Sequence, residues 1–133
     1  MNYWLLKTEP GEYSWQDLKN EGTDCWDGVK GSGALKHMRS MNPGDKAFIY
    51  HTGKERAIVG TATITREAYP DPNNNDEHLL VVDLEAGPAL PKPVNLAEIK
   101  QSGDFTDWAL VRQPRLSVMP VSKEQWNAIN NWA

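Results

Sequence analysis

The chain has 133 residues, 39 % of them hydrophobic and 24 % charged, a length and balance that suit one globular domain and exclude a disordered or low-complexity protein. Its 14 Lys+Arg against 18 Asp+Glu leave a net charge of −4, which argues against a protein that coats nucleic acid by bulk charge. One cysteine cannot form an internal disulfide, no apolar run approaches the roughly 20 residues of a bilayer span, and the N-terminus has no secretory-leader pattern; a cytoplasmic or nucleoid-associated location without membrane contact is expected.

Tyr3-Trp4-Leu5-Leu6 reads as a short buried strand. Ser14 followed by Asp17 has the form of a capping pair, which predicts a helix from about Trp15 to Asn20 ending at Gly22. Gly31-Ser32-Gly33 is expected to break the chain. After it Ala34, Met38 and Met41 recur at helical spacing, with Lys36 and Arg39 facing outward. Asn42-Pro43-Gly44-Asp45 is a turn signal, and the strand after it, Lys46 to Thr52, places Tyr50 and His51 on opposite faces. Ala57 to Thr65 is β-branched, with Gly60 at a bulge or a close approach. Leu79 to Leu84 reads as a further strand, after a polar loop from Tyr69 to Glu77. Asn95 with Glu98 starts a helix ending near Gly103, and Ser122 with Gln125 starts a last helix presenting Trp126 and Ile129. These elements predict an α+β fold with a mainly β core, a small and strongly bent sheet or barrel with short helices at its periphery, in a single domain over residues 1–133.

Most of the six tryptophans are expected to pack: Trp4, Trp126 and Trp132 in the core, Trp15 under the first helix, Trp108 beside Ala109 and Leu110. Trp26 differs, because it precedes Asp27-Gly28 and a glycine-rich segment where a ligand could approach closely, and it is the candidate for stacking a flat ring. No acidic residue lies between Asp27 and Asp45, whereas Lys30, Lys36 and Arg39 are basic; with Arg115 they are the candidates for holding phosphates. Ser117 can both donate to and accept from a polar ring edge. Cys25, His37, His51 and His78 show no ligand spacing, so neither a metal nor another cofactor is expected. Nucleophile elbow and phosphate-cradling loop are both missing, and no catalytic residue is assigned. Lys7 and Glu9 would share one strand face, by default as a surface ion pair; buried beside a cavity, such a pair would suit acid and base chemistry.

Taken together, Lys7-Thr8-Glu9-Pro10, Tyr13-Ser14-Trp15, Trp26-Asp27-Gly28-Val29, Gly44-Asp45 with Phe48-Ile49-Tyr50-His51, Ile58-Val59-Gly60, Glu67-Ala68-Tyr69-Pro70-Asp71 and Leu110 to Val118 resemble an EVE domain over nearly the whole chain. EVE domains belong to the PUA-like superfamily with the YTH and ASCH domains, and the thymocyte nuclear protein family carries one. The resemblance implies a PUA-like bent β-barrel flanked by short helices. It also implies a module, not an enzyme, that reads a modified base in DNA or RNA, a modified cytosine above all, in an aromatic pocket. Carried over by motif, Trp26, Val29, Tyr50 and His51 would form that pocket, with Lys7, Pro10, Arg115, Leu116 and Ser117 around its mouth. One segment departs from the family pattern: where members commonly continue Trp-Asp-Gly-Val with Arg-Asn and a bulkier residue, this chain has Lys30-Gly31-Ser32-Gly33. The expected partner is nucleic acid carrying a modified base, bound by a monomer. The alternatives are a small-ligand or protein-interaction domain and an ASCH-like amidohydrolase acting on a modified nucleoside through Lys7 and Glu9.

Overall fold

A computed structural model describes residues 1–133. The elements in order are β1 (Tyr3–Thr8), α1 (Trp15–Glu21), β2 (Thr23–Trp26), α2 (Ser32–Arg39), β3 (Lys46–His51), β4 (Ala57–Pro70), β5 (Leu80–Asn95), α3 (Leu96–Ser102), α4 (Ala109–Arg112), β6 (Val118–Val121) and α5 (Lys123–Trp132). None of the helices is long and apolar enough to cross a membrane. The strands form one mixed sheet in the order β2-β5-β4-β3-β1-β6, with β1 and β3 parallel and the other pairs antiparallel. Fold class and peripheral helices agree with the sequence reading. Closure into a barrel does not appear in the pairing: β2 and β6 are the two edges, and no ladder joins them.

Strand alternation divides the core in two. Leu6, Ala47 and Ile49 point into one apolar cluster with Trp4, Trp15, Trp26 and the buried side of α2, while Leu5, Phe48 and Tyr50 point into a second with Trp108, Leu110 and Ile129. Each face of the sheet is thus covered by helices. Bulges shift the β4–β5 register at four places between Ile58 and Tyr69, and such bulges bend a strand and raise its twist. The bend brings β2, separated from β1 by three strands in the order, back toward the turn after β1, where Asp24 of β2 accepts from the Tyr13 hydroxyl.

Three helices start where the capping pairs predicted: Ser14 with Asp17, Asn95 with Glu98 and Ser122 with Gln125 all form reciprocal capping boxes. Gly31-Ser32-Gly33 does not break the chain as expected. Gly31 is the N-cap of α2, with φ −68° and ψ 138°, and Ser32 and Gly33 are already helical. The helix still presents Ala34, Leu35 and Met38 inward and Lys36 and Arg39 outward. Buried Asp45 ties the sheet to the turn before β3, accepting bonds from Trp4 Nε1 (2.9 Å), the Asn2 amide (3.1 Å) and the Asn42 amide (3.0 Å).

Candidate base-binding site

A cavity of about 490 Å³ opens between the end of β1 with its following turn and the end of β2 with Asp27, Gly28 and Val29. Volumes of this order suit a small organic ligand. Its β1 wall is set by backbone pairing. Lys7 lies opposite Tyr50 in the parallel ladder, and the Lys7 amide donates to the Ser117 carbonyl at 2.9 Å, which brings Ser117 to the same rim. Beyond β1 the chain turns at once, since the amides of Glu12 and Tyr13 both donate to the Glu9 carbonyl at 2.9 Å. That turn delivers Tyr13 to the opposite wall.

There Tyr13 Oη donates to Asp24 Oδ2 at 2.7 Å and its ring meets Trp26 edge-on, with centroids 6.0 Å apart at 80°. Asp24 and Trp26, two apart on β2, share one strand face. The second carboxylate oxygen of Asp24 accepts from the Cys25 amide at 2.8 Å. Gly28, at φ +77°, makes the turn that leads from Trp26 to Val29, a conformation that disfavours any side chain. Trp26 and Val29 are each 6 % exposed and line the cavity with part of their surface while packing into the core with the rest.

Lys7 is the only cationic side chain lining the cavity, which also holds the carboxylates of Glu9, Glu12, Asp24 and Asp27. Its Nζ donates to the Pro114 carbonyl at 3.0 Å and stands 5.5 Å from the centre of the Tyr50 ring. No carboxylate lies within ion-pair distance of it, and burial lowers its pKa from the ordinary lysine value. Burial first, then Asp24, raises the pKa of the Tyr13 phenol. Burial, followed by Asp24, Asp27, Asp83 and Asp71, likewise raises that of the Cys25 thiol. In both, burial is the larger cause and Asp24 adds to it.

Of the residues expected in the pocket, Lys7, Trp26, Val29 and Ser117 line the cavity. Tyr50, His51, Leu116 and Pro10 do not. Tyr50 is turned into the second core cluster beneath Lys7. His51, buried, braces the frame instead: its Nε2 accepts the Trp15 amide at 3.0 Å and its Nδ1 faces Glu55 Oε1 at 2.6 Å. Leu116 packs against both core clusters, and a Cβ on Gly33 would lie 3.5 Å from it, so the first turn of α2 sits beside the Arg115-Leu116-Ser117 loop. Pro10 is half-buried in the turn after β1. Lys30, Lys36, Arg39 and Arg115 are exposed outside the cavity, none in an ion pair. The wall residues that sequence reasoning did not assign are Thr8, Glu12, Tyr13, Asp24, Cys25, Asp27 and Gly28. The alternation of Asp24 and Trp26 would have pointed to them, had residues 23–26 been read as a strand.

The profile of the EVE domain matches residues 2–132. The chain belongs to the EVE domain family. Rpa0253 from Rhodopseudomonas palustris is 41 % identical, and its structure superposes with a TM-score of 0.92, covering 98 % of this chain and 92 % of that one. Thymocyte nuclear protein 1 of Rattus norvegicus is 32 % identical over 96 % of this chain and 72 % of its own length. The human THYN1 protein, solved in complex with DNA containing 5-methylcytosine, is 28 % identical with a TM-score of 0.90, covering 99 % of this chain and 97 % of that one. The ASCH protein of Zymomonas mobilis, at 13 % identity and a TM-score of 0.59, shares the fold alone.

Proposed function

We propose that this EVE domain is a non-catalytic reader of a modified cytosine, most directly in DNA, and that the cavity between β1 and β2 receives the flipped base. The observation that carries this reading is the cavity itself: the aromatic pair Trp26 and Tyr13 on one side, the Lys7 ammonium on the other, in a fold whose human relative is crystallised with 5-methylcytosine DNA. Extruding a base costs a few kcal/mol, which ring contacts and edge hydrogen bonds inside a pocket offset. Lys7 has donors left beyond its bond to Pro114, and they suit the carbonyl of a pyrimidine. Exposed Lys30, Lys36, Arg39 and Arg115 supply the sequence-independent attraction to the backbone.

A binder fits the geometry better than a hydrolase. Lys7 and Glu9 do not form the pair that acid and base chemistry would use: Lys7 bonds to the Pro114 carbonyl, and Glu9 Oε1 accepts the Gly11 amide at 2.7 Å. Titration of tryptophan fluorescence with deoxyoligonucleotides that differ only at one cytosine tests the proposal. Selective, salt-sensitive quenching that Trp26→Phe weakens is expected. Equal quenching by modified and unmodified strands would refute it.

A further inference from the structure

The electrostatics of the cavity oppose those of the surface outside it, and the contrast bears on which modifications the site accepts. The inference rests on the base-reading function proposed above. Four carboxylates and one ammonium line the cavity, and the ammonium is already bonded to a main-chain carbonyl. Asp24 is the best placed of the four to act as a reading group. Both of its oxygens are fixed, one by the Tyr13 hydroxyl and one by the Cys25 amide, so the group is oriented, and each oxygen keeps a lone pair for a further donor. It also shares a strand face with Trp26, whose ring is the stacking wall.

We infer that the site selects for a base with an exocyclic amino group and a neutral ring substituent, and that it refuses a base whose modification is anionic. Asp24 accepts from the amino group of cytosine, the standard pairing of a carboxylate with that edge. Thymine and uracil present a carbonyl at the same place, so two acceptors would face each other with no proton between them. A methyl or hydroxymethyl group at C5 leaves this arrangement intact. A carboxyl group adds a negative charge to a cavity already lined by Glu9, Glu12, Asp24 and Asp27, so like charges oppose it, with least solvent screening at half-buried Asp24. Phosphates are excluded on the same ground and must run over the exposed lysines and arginines outside.

The experiment compares one DNA sequence carrying 5-methylcytosine, 5-carboxylcytosine or thymine at a single position, bound to the native chain, to Asp24→Asn and to the double variant Glu12→Gln/Asp27→Asn. Glu12 and Asp27 are exposed, so the double variant keeps the fold. For the native chain, 5-carboxylcytosine and thymine should each bind at least about tenfold more weakly than 5-methylcytosine. In the double variant the carboxylated base should regain affinity while the methylated base does not. With Asp24→Asn the preference over thymine should narrow, because the amide can present a donor. Native binding of the carboxylated base as tight as that of the methylated one would overturn the inference while leaving the base-reading function standing. Failure of every strand to bind would remove that function and this inference with it.

Discussion

The indole of Trp15 fills the space that a side chain at Gly60 would need: a Cβ there would stand 2.5 Å from Trp15 Cε2 and Nε1. Nε1 donates to the neighbouring Thr61 carbonyl at 3.0 Å, and the Trp15 amide donates to His51, so one residue fastens the first turn of α1 to β3 and β4. Tyr13 lies two residues before it and depends on that anchor. Gly60→Ala should therefore displace the indole, destabilise the domain by about 1–3 kcal/mol, as overpacking does, and weaken ligand binding at the distant cavity. Thermal unfolding and an oligonucleotide titration of the same variant check both; an unchanged Tm would show that the indole relocates freely.

Tyr13 contributes a ring edge to Trp26 and a hydroxyl to Asp24, and Tyr13→Phe removes only the second. The expected loss of stability at neutral pH is about 0.5–1.5 kcal/mol. The pH dependence follows from the sign of the shift. The phenol is raised above its ordinary value of 10.0 by burial and by Asp24, so its stabilising contribution is complete below pH 10 and is lost as pH rises through the folded-state value. Urea unfolding across alkaline pH should show a fall for the native chain that is shallower in Tyr13→Phe.

Much of this was legible in the sequence where local chemistry decides. All three capping boxes, the turn at Asn42 to Asp45, the close approach at Gly60 and the opposite faces of Tyr50 and His51 follow from residue type and spacing. Strand β2 was hidden because only four residues pair, two of them aspartate and cysteine. The second half of β5 was hidden by Pro88, Pro91 and Pro93. Those prolines are tolerated because β2 covers only Val82 to Glu85, and beyond it β5 is an edge where a missing amide donor does little harm. Trp26 was readable as a candidate site residue on its own chemistry, whereas Lys7 entered the candidate site through the family resemblance. Tyr13 and Asp24 were not readable, since their meeting needs strand β2, which the sequence reading missed.

Gly31, where the chain departs from its family's pattern, caps α2 with no side chain to offer. Its φ of −68° suits any residue, and nothing lies within 4 Å of a Cβ placed there. Gly31→Asn should supply an acceptor for the free amides of the first turn and stabilise the domain by a few tenths of a kcal/mol, whereas Gly31→Ala should not. Equal Tm values for the two variants would show that the cap is already satisfied by solvent.

Lys7 sets stability against function. Its ammonium is half-buried with no carboxylate partner, and burial alone lowers its pKa from 10.5. A folded-state value below the unfolded one means that the folded chain sheds this proton first. Stability from this group is therefore present above 10.5 and is lost as pH falls through the lowered folded value. At neutral pH the charge is a burden, which under the proposed function a ligand carbonyl would relieve. Lys7→Met, which keeps the length and removes the charge, should raise the Tm of the free protein at neutral pH and flatten the rise in stability at alkaline pH. The same substitution should weaken binding of the modified strand at least about tenfold, the worth of one charged hydrogen bond. Differential scanning calorimetry beside a binding titration separates the two effects. A variant that is both less stable and fully active would show that the bond to the Pro114 carbonyl, not the cavity, is what Lys7 serves.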